Sequence, residues 1–134
     1  MPMFKFTVGL PATILLICLI GCGSGQLKVS AIQLGRSLNP DSTVATFTTR
    51  FAPTDSVYLS VLTSGAGSAT ISVRWTFLGR VIDEPKKQVS QTTAAVTDFR
   101  LQSPTGFPEG DYTAEVFLGG QSVGTRTFRV ENPR

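Results

Sequence analysis

An all-β fold, a sandwich of antiparallel strands, is what this sequence of 134 residues predicts. Three observations predict it: segments in which apolar and polar residues alternate, turn-forming clusters between those segments, and no convincing stretch of helical periodicity. Composition agrees. Frequent Thr and Val and 9 Phe suit a pleated, half-buried surface, and 13 Gly supply turns. A barrel is the alternative closure of the same strands.

In chain order, weaker strands fit residues 27–34, 44–51 and 56–63. The clearest is 69–77, where Ala69, Ile71, Val73, Trp75 and Phe77 alternate with Thr70, Ser72, Arg74 and Thr76, so that one face is core and the other wet. Gly79 breaks it, and residues 80–83 pair back as a short return strand. Weaker strands follow at 89–95 and 97–102. Residues 112–118 set Tyr112, Ala114, Val116 and Leu118 on one face and Thr113, Glu115 and Phe117 on the other. Gly119-Gly120 then turns the chain into 122–130, with Phe128 and Val130 on one side. Asn39-Pro40-Asp41-Ser42, Ser64-Gly65-Ala66-Gly67-Ser68, Glu84-Pro85-Lys86-Lys87 and Pro104-Thr105-Gly106 separate seven to eight strands.

With Trp75 on a central strand, Tyr112 opening a late one after Gly110-Asp111, and a closing Thr127-Phe128-Arg129-Val130, the chain resembles bacterial immunoglobulin-like modules. The resemblance covers most of 27–131, leaving 132–134 as a polar tail. It implies a core Trp75, a Tyr112 hydroxyl bonded to nearby backbone, and Phe107 plugging one end. Antibody-type cysteines would fall near Val61 and Ala114, so this is a disulfide-free variant. Such modules most often bind, space or scaffold, and their motifs mark fold rather than function.

The N-terminus reads as an address. Lys5 precedes the uncharged residues 6–20, which include Ile14-Leu15-Leu16-Ile17-Cys18-Leu19-Ile20. That stretch makes about 22 Å of helix, short of the roughly 30 Å a permanent span must cross. It ends in Leu19-Ile20-Gly21-Cys22, which resembles the bacterial lipobox at all four positions. The resemblance implies a signal peptide over 1–21, recognised through Leu19, Ile20 and Gly21. It implies a diacylglyceryl thioether on Cys22, and cleavage that makes Cys22 the mature N-terminus. A thiol is the side chain nucleophilic enough to take that group. Cys18 would leave with the signal, so Cys22 has no disulfide partner. Two acyl chains anchor stably where one does not. Gly23 rather than Asp after Cys22 implies, by the Gram-negative sorting rule, the outer membrane, where the domain is expected to face the periplasm; in a host with a single membrane the same anchor would hold it on the outer face. Residues 22–26 form a Gly/Ser tether with a reach of about 17 Å.

Function classes narrow by what the sequence lacks. There is no His, and the net charge of +3 comes from scattered Lys and Arg, which argues against nucleic acid. Gly120-Gln121-Ser122-Val123-Gly124 matches the G-x-S-x-G elbow, yet this serine enters a strand after a hairpin with no His to take its proton. Nothing in the sequence pairs a serine with Lys28, Lys86 or Lys87, and Lys86-Lys87 reads as a solvated turn. Asp83-Glu84 and Glu109-Asp111 lie in turn-like segments, where carboxylates bond their own backbone rather than catalyse or hold a metal. No catalytic residue, metal or cofactor is expected. Phe117, left on the polar face, is the candidate partner contact. The expectation is a non-catalytic accessory or scaffold subunit that binds another envelope component. A glycan- or peptidoglycan-binding module is the alternative.

Overall fold

The computed structural model describes residues 25–133, and in them the alternating segments become two sheets. Nine strands form: β1 (Lys28–Gly35), β2 (Arg50–Phe51), β3 (Val57–Ser64), β4 (Gly67–Phe77), β5 (Arg80–Asp83), β6 (Lys86–Gln91), β7 (Ala95–Leu101), β8 (Gly110–Leu118) and β9 (Gln121–Val130). One sheet runs β1-β3-β7, the other β2-β9-β8-β4-β5, with β6 continuing the β5 edge along the first half of β4. All pairings are antiparallel except β2 with β9, where the chain leaves the first sheet and joins the second.

Period-two patterning puts Val57, Leu59 and Val61 of β3 against Ile71, Val73 and Trp75 of β4, and all six are fully buried. At about 1.5–3 kcal/mol for each large side chain removed from water, this layer is the main stabilising term. Trp75 lies edge-on to Phe128 at 6.0 Å, and Phe128 stacks on Tyr112 at 5.1 Å. Val61 and Ala114 are both fully buried in this core. The Trp75 indole N–H is the one buried side-chain N or O without a hydrogen-bond partner among the described residues. The Tyr112 hydroxyl donates to the Pro108 carbonyl at 2.6 Å, tying β8 to the loop before it.

Two expected strands move furthest. Of 44–51 only Arg50–Phe51 is a strand. The rest folds over the outer face of β3: Asp41 accepts from the Thr43 N–H and hydroxyl, which closes a turn, and Val44 packs down on Gly35. Ser60 points outward from β3 yet is buried, because its hydroxyl bonds the Ser42 carbonyl of that loop. Local capping at Asp41 thus outweighs the strand propensity of the Val-Ala-Thr-Phe run. The strand expected at 89–95 instead spans Lys86–Gln91, and Ala95 opens β7. Lys86-Lys87 is accordingly strand rather than turn; the Lys87 ammonium donates to the Asp98 carbonyl and lies 5.1 Å from the Phe99 ring centre, bridging the sheets.

The strand directions give the sandwich two distinct ends. Gly25 and Gln26 enter beside Gly65 and Ala66, with the Ala66 N–H donating to the Gly25 carbonyl at 3.2 Å. From Gly67 the strand β4 runs about 33 Å, at roughly 3.3 Å per residue, to Phe77 at the other end. The entry end carries the turns at Gly65-Ala66, Thr92-Thr93-Ala94 and Gly119-Gly120. The far end carries Leu78-Gly79 and the 102–109 loop.

Candidate functional site

Leu19, Ile20, Gly21 and Cys22 lie outside the described residues. Phe117, on the outer face of β8, is half-buried, and the Arg74 guanidinium covers its ring at 4.7 Å from the centre. Arg74 also pairs with Glu84 at 3.1 Å and approaches Glu115 at 3.9 Å. The Phe117 ring therefore already has a neighbour within the chain.

The carboxylates do not face one another as catalytic pairs do. Asp83 accepts from the Glu84 N–H, Glu84 pairs with Arg74, Glu109 accepts from Asn132, and Asp111 pairs with Arg129 at 2.8 Å. That last bond raises the Arg129 pKa above its ordinary value, and the Thr43 hydroxyl holds Asp41 below its own. Ser122 lies on strand β9 and its hydroxyl donates to Glu115 at 2.6 Å. Among the described residues no His, Cys, Asp and Glu gather as a metal site, and no helix is long and apolar enough to cross a membrane.

The far end holds what the sequence reading missed: a cleft of about 350 Å³ between the β4–β5 hairpin and the 102–108 segment. Phe77, Phe107 and Tyr112 form its floor, with Phe77 stacked on Tyr112 at 4.4 Å and Phe107 edge-on to Tyr112 at 6.0 Å. Burial raises the Tyr112 pKa above 10.0. Gly110 is needed here, because a Cβ on it would stand 3.0 Å from the Phe77 ring. Leu101, Ile82 and Pro108 wall the cleft, and Arg80, Asp83, Gln102 and Ser103 rim it.

The hairpin beside this cleft breaks two local rules. The pairing steps from Thr76↔Val81 to Trp75↔Asp83, so Ile82 is an extra residue outside the ladder. Such bulges re-aim a side chain, and this one supplies Ile82 to the cleft lining. The two-residue turn has positive φ at both positions, +52° at Leu78 and +79° at Gly79. Turns of that kind favour Asn-Gly, and a leucine there costs about 1–2 kcal/mol. Leu78 is nevertheless 77 % exposed, beside Val81 at 49 % and Ile82 at 42 %. A leucine where asparagine belongs is the one signal in the sequence that could have marked this end.

With two sheets, a chain that passes from the first sheet to the second at β2, a buried Trp75 and the Tyr112 hydroxyl bond on the page, the likeness to solved structures is decisive for the fold. An immunoglobulin-like protein from Pseudomonas aeruginosa superposes with a TM-score of 0.56 at 14 % identity, over 80 % of this chain and 98 % of that one. The domain is immunoglobulin-like. The C-terminal domain of Wzt also matches, with a TM-score of 0.53 at 12 % identity, over 84 % of this chain and 78 % of that domain. A β-glucosidase from Erythrobacter marinus matches with a TM-score of 0.54 at 11 % identity, but this chain spans only 15 % of it. That likeness is to one domain-sized part of the enzyme and carries nothing of its catalysis. No family model matches the sequence, and no curated protein does.

Proposed function

We propose that this immunoglobulin-like domain is the exposed part of a bacterial lipoprotein, held in the outer membrane by a diacylglyceryl group on Cys22 and facing the periplasm. It acts without catalysis, as an accessory or scaffold subunit that binds another component of the envelope. The observation that carries the reading is the polarity of the domain. The chain enters at Gly25–Gln26, and the exposed Leu78, Val81 and Ile82 stand at the opposite end. A short tether at Cys22 would hold the entry end against the membrane and turn the apolar end outward, where a partner reaches it. Two-dimensional anchoring raises the effective concentration of such a partner.

Acyl labelling of the wild type against Cys22→Ala tests the anchor: label is expected in the first and absent in the second, and equal labelling refutes it. Gentle solubilisation of native membranes and purification of the chain tests the partner. A membrane or envelope protein in fixed proportion is expected. Purification alone, or with wall fragments only, would overturn the subunit reading.

A further inference from the structure

We propose that the far-end cleft is a recognition site for an extended segment of a partner protein, in which one bulky apolar side chain is flanked by a carboxylate and a cation. The inference deepens the reading of the chain as a binding subunit and rests on it.

Three observations select this occupant. The first is the exposed aliphatic hairpin beside the cleft. Leu78, Val81 and Ile82 together expose more large apolar surface than any other stretch of the described residues; Ile82 lines the cleft over Phe77, Phe107 and Tyr112, and Leu78 stands in the turn between the cleft-lining Phe77 and Arg80. Contiguous exposed aliphatics beside a pocket mark a protein contact, where a bulky side chain enters and its neighbours exclude water. The second is charge. Arg36, Arg50 and Arg129 at this end each have an acidic partner within the chain, at 3.1, 3.1 and 2.8 Å, and Arg100 lies over the Tyr58 ring and bonds the Gln102 side chain. Arg80 and Asp83, which line the cleft, have no ion-pair partner among the described residues. A segment carrying both signs complements them, whereas a purely anionic polymer would meet Asp83 and a neutral one would leave both charges uncompensated. The third is what the aromatic rings can offer. Phe107 and Tyr112 are almost wholly buried and the Tyr112 hydroxyl is already committed to Pro108, so of the three rings only the half-buried Phe77 is partly open, which suits a single apolar side chain better than a row of sugar faces.

The strained turn fits the same purpose. Glycine at Leu78 would relieve the left-handed conformation but remove the most exposed apolar side chain of the hairpin beside the cleft. Conformational cost is thus incurred where it leaves a hydrophobic contact standing open.

The test uses the full chain purified in detergent and a displayed library of random linear peptides. Wild type is expected to enrich peptides with a bulky apolar residue between an acidic and a basic one. Their affinity is expected to fall by about tenfold or more in Leu78→Gly and in Arg80→Glu. Both substitutions are at exposed positions, and the first suits its backbone better than leucine does, so folding is preserved and is checked by thermal melting. The double variant Arg80→Asp, Asp83→Arg is expected to enrich peptides with the two charges exchanged. Peptides that bind all variants equally would overturn the cleft assignment while leaving a binding subunit. Absence of any enrichment would overturn the cleft as a peptide site, and a stoichiometric partner recovered from membranes would still stand apart from that result. Retention on purified peptidoglycan, or on vesicles of anionic lipid, lost in the same variants, would give the cleft to a glycan or a membrane and overturn the proposal.

Discussion

The two ends of this sandwich are built from different chemistry. At the entry end the turns are glycine, alanine and threonine, with small, uncharged side chains. At the far end the loops bring Phe107 and Pro108 against Tyr112 of β8, leave Leu78 in an unfavourable conformation and leave Arg80 and Asp83 uncompensated. Turns that only reverse the chain need conformational freedom and little else. Turns that also bear packing and recognition carry large side chains and local conflicts with propensity, and such conflicts gather where a protein acts.

The largest effect that separates the ends is on stability. Phe107→Ala is expected to cost about 3–5 kcal/mol, since it empties a buried aromatic site. Thr92→Ala at the entry end is expected to change stability by less than about 0.5 kcal/mol. Urea unfolding of both measures this, and equal losses would erase the distinction.

Next in size is Tyr112→Phe, which keeps the stacked ring and deletes only the bond to Pro108. A loss of about 1 kcal/mol is expected. The substitution also alters the alkaline limb. Because burial raises the Tyr112 pKa in the folded state, the wild type keeps this contribution below the unfolded pKa near 10 and loses it as pH rises through the higher folded value. The phenylalanine variant has no such loss, so the two stability curves are expected to converge above pH 10. Parallel curves would contradict the assignment.

Much of this was legible in the sequence because period-two alternation survives wherever a strand buries one face. The 69–77 strand, its Trp75 and the 112–130 hairpin are in the structure as the residues imply. The turn at 39–42 was legible, but the 44–49 segment was not, because whether Val44 continues a strand or caps the outer face of β3 depends on Ser60, which is distant in sequence. The cleft was hidden for the same reason: Phe77, Ile82, Leu101 and Phe107 meet only when the two sheets close over one another. Phe117 looked exposed by alternation alone, and the partner that covers it, Arg74, sits across the strand pair.

A smaller and opposite effect is expected at the hairpin. Leu78→Gly should stabilise the domain by about 0.5–1 kcal/mol, since the turn conformation no longer opposes a side chain. A rise in melting temperature together with weaker peptide binding would sharpen the contrast between the ends, and a fall in melting temperature would show that Leu78 packs within the domain.

The smallest effect lies in the loop that belongs to neither end. Thr43→Val removes the hydroxyl that holds Asp41 below its ordinary pKa. A lowered folded pKa stabilises above the unfolded carboxylate value and is lost as pH falls through the folded one. The variant is therefore expected to return Asp41 toward 3.8 and to flatten this part of the acid limb, which carboxyl chemical shifts follow during titration.

The central claim, that the end opposite the chain entry is the one that meets a partner, is tested most directly by photo-crosslinking in native membranes. A crosslinking residue is placed at Leu78, at Ala66 and at Phe117 in the full chain, one at a time. The account predicts a discrete protein adduct from Leu78 and none of that adduct from Ala66 or Phe117. The same adduct from Ala66 or Phe117, with Leu78 silent, would contradict it.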